Sequence, residues 1–227
     1  MKVATQAQTA ASSGDIPFLD WFRGNQRRAT ITGLAILAIG AGIWFWWSAK
    51  SRRETFAARA LQAARSSAEA GNLPLAASDL AKLVATYSGT VAGDEATILL
   101  AQVRLLQNQG PLAVADLKKF VAGNPHPQFR GPAYQLLGSS LEEVGQYADA
   151  SKAYTDAAAA FDYKPLRAQS LIDAGRGYWL AGDTAQAARS YERILSEFSD
   201  QPSVLEARIR LAELRKSAAP LPAQPSK

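Results

Sequence analysis

Residues 134–157 read YQLLGSSLEEVGQYADASKAYTDA. Tyr134, Leu137 and Leu141 recur at spacings of three and four, which lines them along one face of a helix. Gly145 then interrupts the pattern, and Tyr147, Ala150, Tyr154 and Ala157 resume it on a second helix. A glycine there permits the positive φ that ends a helix, and the small Ala150 lets the second helix lie close against the first. The stretch therefore predicts a helical hairpin. One hairpin cannot cover its own apolar face, so further copies are expected beside it.

Working outward, Gly71, Gly110 and Gly182 also close apolar-periodic segments, at spacings of 39, 35 and 37 residues when Gly145 is included. Five residues past each glycine stands an alanine: Ala76, Ala115, Ala150 and Ala187. Nine past come Leu80, Lys119, Tyr154 and Tyr191. At these residues the chain resembles the tetratricopeptide repeat family. The resemblance is carried by Tyr134, Leu137, Gly138, Leu141, Gly145, Tyr147, Ala150, Tyr154 and Ala157, and again by Leu171, Gly175, Tyr178, Gly182, Ala187 and Tyr191, which ends near Pro202. The earlier units match less well, with Ala64 and Val103 at the position of the helix-contact glycine and Lys119 in place of an aromatic. Breaks at Gly123-Asn124-Pro125-His126-Pro127 and Tyr163-Lys164-Pro165 separate units. Residues 203–216 read as a polar-faced cap helix, and 217–227, with three prolines, as a disordered tail.

Upstream, residues 29–49 hold no charge and lie between Arg27-Arg28 and Lys50, Arg52, Arg53. As a helix these residues rise about 31 Å, the thickness of a bilayer's hydrocarbon core. Trp44, Trp46 and Trp47 crowd the exit, where amphipathic rings favour the headgroup level. The stretch reads as a retained transmembrane signal anchor. The rival, a removable signal peptide, has an apolar run of only about 7–15 residues and a small-residue cleavage site. Residues 1–28 form a short tail, disordered at first; residues 15–22, with Trp21, read as an interfacial segment on the membrane face or as a helix start that merely precedes the span. Within the span, Gly33, Ala38, Gly40 and Gly42 are small residues that would let another helix approach. The expected architecture is all-α: one N-terminal transmembrane helix, then residues 50–216 as an α-solenoid of about four hairpins with a capping helix.

Charge and chemistry narrow the function. The pI is about 9.5 and the net charge +5, but beyond Arg53 there are 18 Lys and Arg against 18 Asp and Glu. The excess sits beside the apolar run, so its partner is membrane lipid and not nucleic acid. There is no cysteine, which excludes disulfides and thiolate chemistry. His126 is the one histidine and reads as a solvated loop residue; Glu142-Glu143 point to different faces of a helix; the glycines fall at helix ends. No catalytic, cofactor-binding or metal site is expected, and no small-molecule substrate. Six residues before each turn glycine stand Arg65, Arg104, Ser139 and Arg176. Facing a peptide groove, that row would favour an acidic segment or a free carboxylate; alternatively each arginine is solvated or locally paired, as Arg65 with Glu69. Trp179 could add an apolar anchor or pack beneath the cap.

The layout as a whole is similar to the YfgM-like family of single-span inner-membrane proteins. That resemblance rests on Asp20-Trp21-Phe22, on Ile43-Trp44-Phe45-Trp46-Trp47-Ser48 closing a glycine-rich span, and on Ser88-Gly89-Thr90 leading to Leu99-Leu100-Ala101. It implies a cytoplasmic N-terminus and a periplasmic repeat domain. It also implies an ancillary, chaperone-like partner of the Sec translocon and of periplasmic folding factors, in contact with client polypeptides. Residues 203–216 and the two regular C-terminal units depart towards a generic scaffold, such as a subunit of another envelope or secretion complex.

Overall fold

The computed structural model describes residues 26–218, and among them it holds nine α-helices and no strand. The chain divides into two compact units between Arg52 and Arg53. Helix α1, Gln26–Glu69, supplies the apolar stretch of the first unit and opens the second. The second unit continues with α2 (Leu73–Thr86), α3 (Val91–Leu106), α4 (Gly110–Ala122) and α5 (Pro127–Glu143), followed by α6 (Tyr147–Ala160), α7 (Lys164–Leu180), α8 (Thr184–Glu197) and α9 (Ser203–Ala218). The tail with Trp21, and the C-terminal residues past Ala218, lie outside the described residues.

In the first unit, the apolar part of α1 is apolar around its whole circumference. Ile31, Leu37, Trp44, Phe45, Trp46 and Trp47 are all at least 65 % exposed. An 18-residue window has a mean hydropathy of 1.6 and none of it is buried, so this is no core helix. The ammonium of Lys50 lies 5.7 Å from the Trp46 ring centroid, a cation–π contact at the end of the run. A side chain added at Gly33, Gly40 or Gly42 would meet nothing within 4 Å.

In the second unit, each hairpin turn is built the same way. Gly71, Gly145 and Gly182 take φ of +77°, +76° and +83°. The residue after each donates its amide to the carbonyl five back, as Gln146 does to Leu141 at 2.8 Å, and the glycine donates three back, as Gly145 does to Glu142 at 2.9 Å. This pair of bonds satisfies the last carbonyls of the first helix.

The second turn corrects the sequence reading. Gly110, expected to close α3, instead opens α4. The left-handed position is Asn108, at φ +58°, with Gln109 donating to Arg104 at 2.8 Å and Asn108 to Leu105 at 2.9 Å. Asparagine tolerates this conformation because its short amide can bond locally. With Asn108 in the row, the turns fall at 71, 108, 145 and 182, so each spacing is 37 residues.

The corrected register regularises the core. Five past each turn now stand Ala76, Ala113, Ala150 and Ala187, all fully buried, whereas Ala115 is exposed. Nine past stand Leu80, Leu117, Tyr154 and Tyr191, also buried, and exposed Lys119 leaves the row. Seven before the turn stand Ala64, Ala101, Gly138 and Gly175, so Ala101 and not Val103 holds the helix-contact position. A Cβ on Gly138 would sit 2.5 Å from the Tyr154 ring, and one on Gly175 2.5 Å from the Tyr191 ring. Units one and two pair alanine with leucine in the same clusters; units three and four pair glycine with tyrosine. Burial pushes the Tyr191 hydroxyl up to about 12 and holds that of Tyr154 higher still. At the end, α9 buries Ala207, Leu211 and Leu214 but leaves Leu205 and Ile209 exposed, so its outer face is not wholly polar.

Replacing Asn108 with Val should destabilise the repeat unit by about 1–2 kcal/mol, because a β-branched residue resists the left-handed region. Asn108→Gly should keep or slightly raise stability. Urea denaturation followed by circular dichroism checks both, and indifference to Asn108→Val would return the turn to Gly110.

Candidate functional site

Two surfaces of the repeat unit gather polar side chains. The first is the layer of first helices, α1, α3, α5 and α7, tied together across neighbouring units. Arg65 on α1 pairs with Glu95 on α3 and not with Glu69. Gln135 on α5 donates to Asp173 on α7 at 2.8 Å and accepts from the Ser170 hydroxyl at 2.7 Å. Arg176 pairs with Glu142, Nη2 donating to Oε2 at 3.1 Å while Nη1 lies 2.9 Å from Oε1, and Nη2 reaches Asp173 at 3.4 Å. The Tyr154 hydroxyl donates to the same Glu142 at 2.9 Å and lies 3.4 Å from the Ser139 hydroxyl. Glu142, which the sequence separates from Glu143 only by helix face, thus joins two helix pairs, and its side chain is only 16 % exposed.

Arg65, Ser139 and Arg176 occupy one row in the 37-residue register, six before the turn, but the fourth member is Gln102. Arg104 lies two positions off that row and turns to α4, where it pairs with Asp116 and donates to the Leu112 carbonyl at 3.3 Å. Trp179 and Leu180 stand exposed at the end of α7.

The second surface is a recess of about 790 Å³ bounded by α2, α3, α4 and the loop into α5. Val84, Leu100 and Phe120 give it apolar walls, while Asp94, Arg104, Asp116, Lys119, His126 and Arg130 bring charge to it. Its loop is fixed by a buried acid. Asp94, in the first turn of α3, accepts from the His126 amide at 2.9 Å, and His126 Nδ1 lies 2.7 Å from the same oxygen. His126 is therefore a structural clasp between the α4–α5 loop and α3, which corrects its reading as a solvated loop residue. No sequence signal pairs residues 32 apart in this way; the acid's place just after the Thr90 cap was the available hint. Among the described residues, no group of three or more His, Cys, Asp or Glu is placed to hold a metal ion.

A sequence profile of the tetratricopeptide repeat-like domain matches residues 48–174, more than half of the chain. Among solved structures, the chain is similar to a Podosopora anserina protein with nearly identical TPR-like repeats, named for kinesin light chain. They share 19 % identity over 72 % of this chain and 87 % of that one, with a TM-score of 0.56. It is also similar to a tetratricopeptide repeat protein from Parabacteroides merdae, at 14 % identity over 71 % of this chain and 60 % of that one, with a TM-score of 0.57. Among curated proteins, none matches in sequence.

Removing the clasp with Asp94→Ala should cost about 1–3 kcal/mol, the penalty for stranding half-buried donors. It should also speed hydrogen exchange at the His126 amide more than at Gln146, a turn amide of the next hairpin. Equal protection at both sites would deny Asp94 that role.

Proposed function

Because the chain belongs to the tetratricopeptide repeat-like domain family, we propose that it is a membrane-anchored adaptor whose repeat surface holds other proteins beside a bilayer. The observation that carries this reading is the wholly exposed apolar stretch of α1, bracketed by cations, on the same chain as the repeats. About twenty residues of apolar surface in water would be a severe liability. A bilayer removes it, and the Trp44, Trp46 and Trp47 rings with Lys50, Arg52 and Arg53 suit a headgroup boundary.

The finer assignment follows the YfgM-like layout. The N-terminus lies in the cytoplasm, the span sits in a bacterial inner membrane, and the repeats face the periplasm as an ancillary subunit serving the translocon, folding factors or client polypeptides. The alternative partner set is another envelope or secretion complex, favoured by the regular C-terminal hairpins and by the exposed Leu205 and Ile209 on α9. In either case the repeats contribute a shaped surface and the anchor confines it near the membrane, which raises the effective concentration of membrane-bound partners.

Crosslinking in native membranes, followed by identification of the neighbours, tests the partner class. The expected outcome is carbonate-resistant membrane association and recovery of translocon or folding factors. Recovery of one other envelope machine alone would select the scaffold reading, and release by carbonate would remove the anchor.

A further inference from the structure

Two cations face the recess between α2 and α4 without a carboxylate to answer them. Among the described residues Lys119 meets no carboxylate, and Arg130 is engaged with neutral acceptors, the Pro125 carbonyl at 3.2 Å and Asn124 Oδ1. Both acids lining the recess are already occupied, Asp94 by His126 and Asp116 by Arg104. With His126 neutral, Arg104, Lys119 and Arg130 face Asp94 and Asp116, so the recess keeps a surplus of positive charge, set against the apolar walls of Val84, Leu100 and Phe120.

We infer that this recess binds an extended peptide segment of a protein partner in which an acidic side chain adjoins a large apolar one. The proposal deepens the adaptor reading and rests on it. Its volume of about 790 Å³ accommodates a bulky apolar side chain with its flanking backbone. A carboxylate placed beside Lys119 and Arg130 gains charge-assisted hydrogen bonds without displacing an existing ion pair. The layer of first helices offers an acidic ligand less. Its arginines are neutralised, Arg65 by Glu95 and Arg176 by Glu142 and Asp173, and an incoming carboxylate would have to compete with them. The acidic segment that the arginine row suggests from sequence is therefore drawn to the recess beside the α4–α5 loop.

Fluorescence anisotropy on the full chain in mild-detergent micelles tests this. The probes are a short dye-labelled peptide alternating leucine and glutamate and its leucine–lysine counterpart. The acidic peptide should bind at least about tenfold more tightly, a difference of about 1.4 kcal/mol, and lose affinity as salt rises. Lys119→Glu reverses an exposed, unpaired side chain and should weaken the acidic peptide about tenfold while leaving the helical circular dichroism unchanged. Ala85→Trp, at an exposed position on the rim, should block entry, and Arg65→Ala should leave binding as it was. Equal affinity for both peptides, binding of neither, or full binding by the Lys119→Glu variant overturns the proposal. So does loss of peptide binding on adding anionic lipid to the micelles, which would assign the recess to a headgroup. If crosslinked neighbours persist in native membranes while the peptide result fails, the adaptor reading stands and only the recess falls.

Discussion

The structure depends on how closely the two helices of each hairpin approach. That distance is set by a small residue seven before the turn lying against a large one nine after it. Where the small residue is glycine, at Gly138 and Gly175, the facing side chain is a tyrosine whose ring occupies the space a Cβ would need. Where it is alanine, at Ala64 and Ala101, the large residue is leucine, at Leu80 and Leu117. Volume is conserved across the pair even though neither residue is, which is the condition for close-packed interiors. The repeat is thus a repeat of combined size at a fixed 37-residue register.

From this packing follows the distribution of polar groups. Because the helices touch through alanine, glycine and ring faces, charged side chains are pushed to the flanks of the first helices and to the loops between units. There they find partners across neighbouring hairpins: Arg65 pairs with Glu95 and Arg176 with Glu142, while the Gln135 amide donates to Asp173. These links join units and neutralise the surface that the arginines would otherwise present. The uncancelled charge remains where the α4–α5 loop folds over α3 on the Asp94–His126 clasp, beside Lys119 and Arg130.

Much of this was legible in the sequence, and the misreadings have physical causes. The all-helical class, the turns at Gly71, Gly145 and Gly182, and the buried Ala76, Ala150 and Ala187 follow from periodicity and from the conformational freedom of glycine. Gly110 misled because an asparagine can hold a left-handed turn and because a glycine also sits at the start of a helix. That shift of two residues made unit two look irregular, placed Lys119 among core aromatics and put Arg104 in a row it does not share. The Arg65–Glu95 and Asp94–His126 pairs span 30 and 32 residues, beyond any local rule, so the sequence could offer only a neighbour four residues along or none. The apolar run ahead of Lys50 was plain from composition alone.

A double-mutant cycle on Gly138 and Tyr154 tests the packing most directly, because the sign of the first change is decisive. Gly→Ala within an open helix stabilises by about 1 kcal/mol. Against a ring 2.5 Å away it should instead destabilise, by about 1–3 kcal/mol. Adding Tyr154→Leu, which recreates the alanine–leucine pair of the first two units, should recover stability beyond the sum of the single effects, with a coupling of about 1 kcal/mol or more. A stabilising Gly138→Ala, or strictly additive changes, would contradict the account.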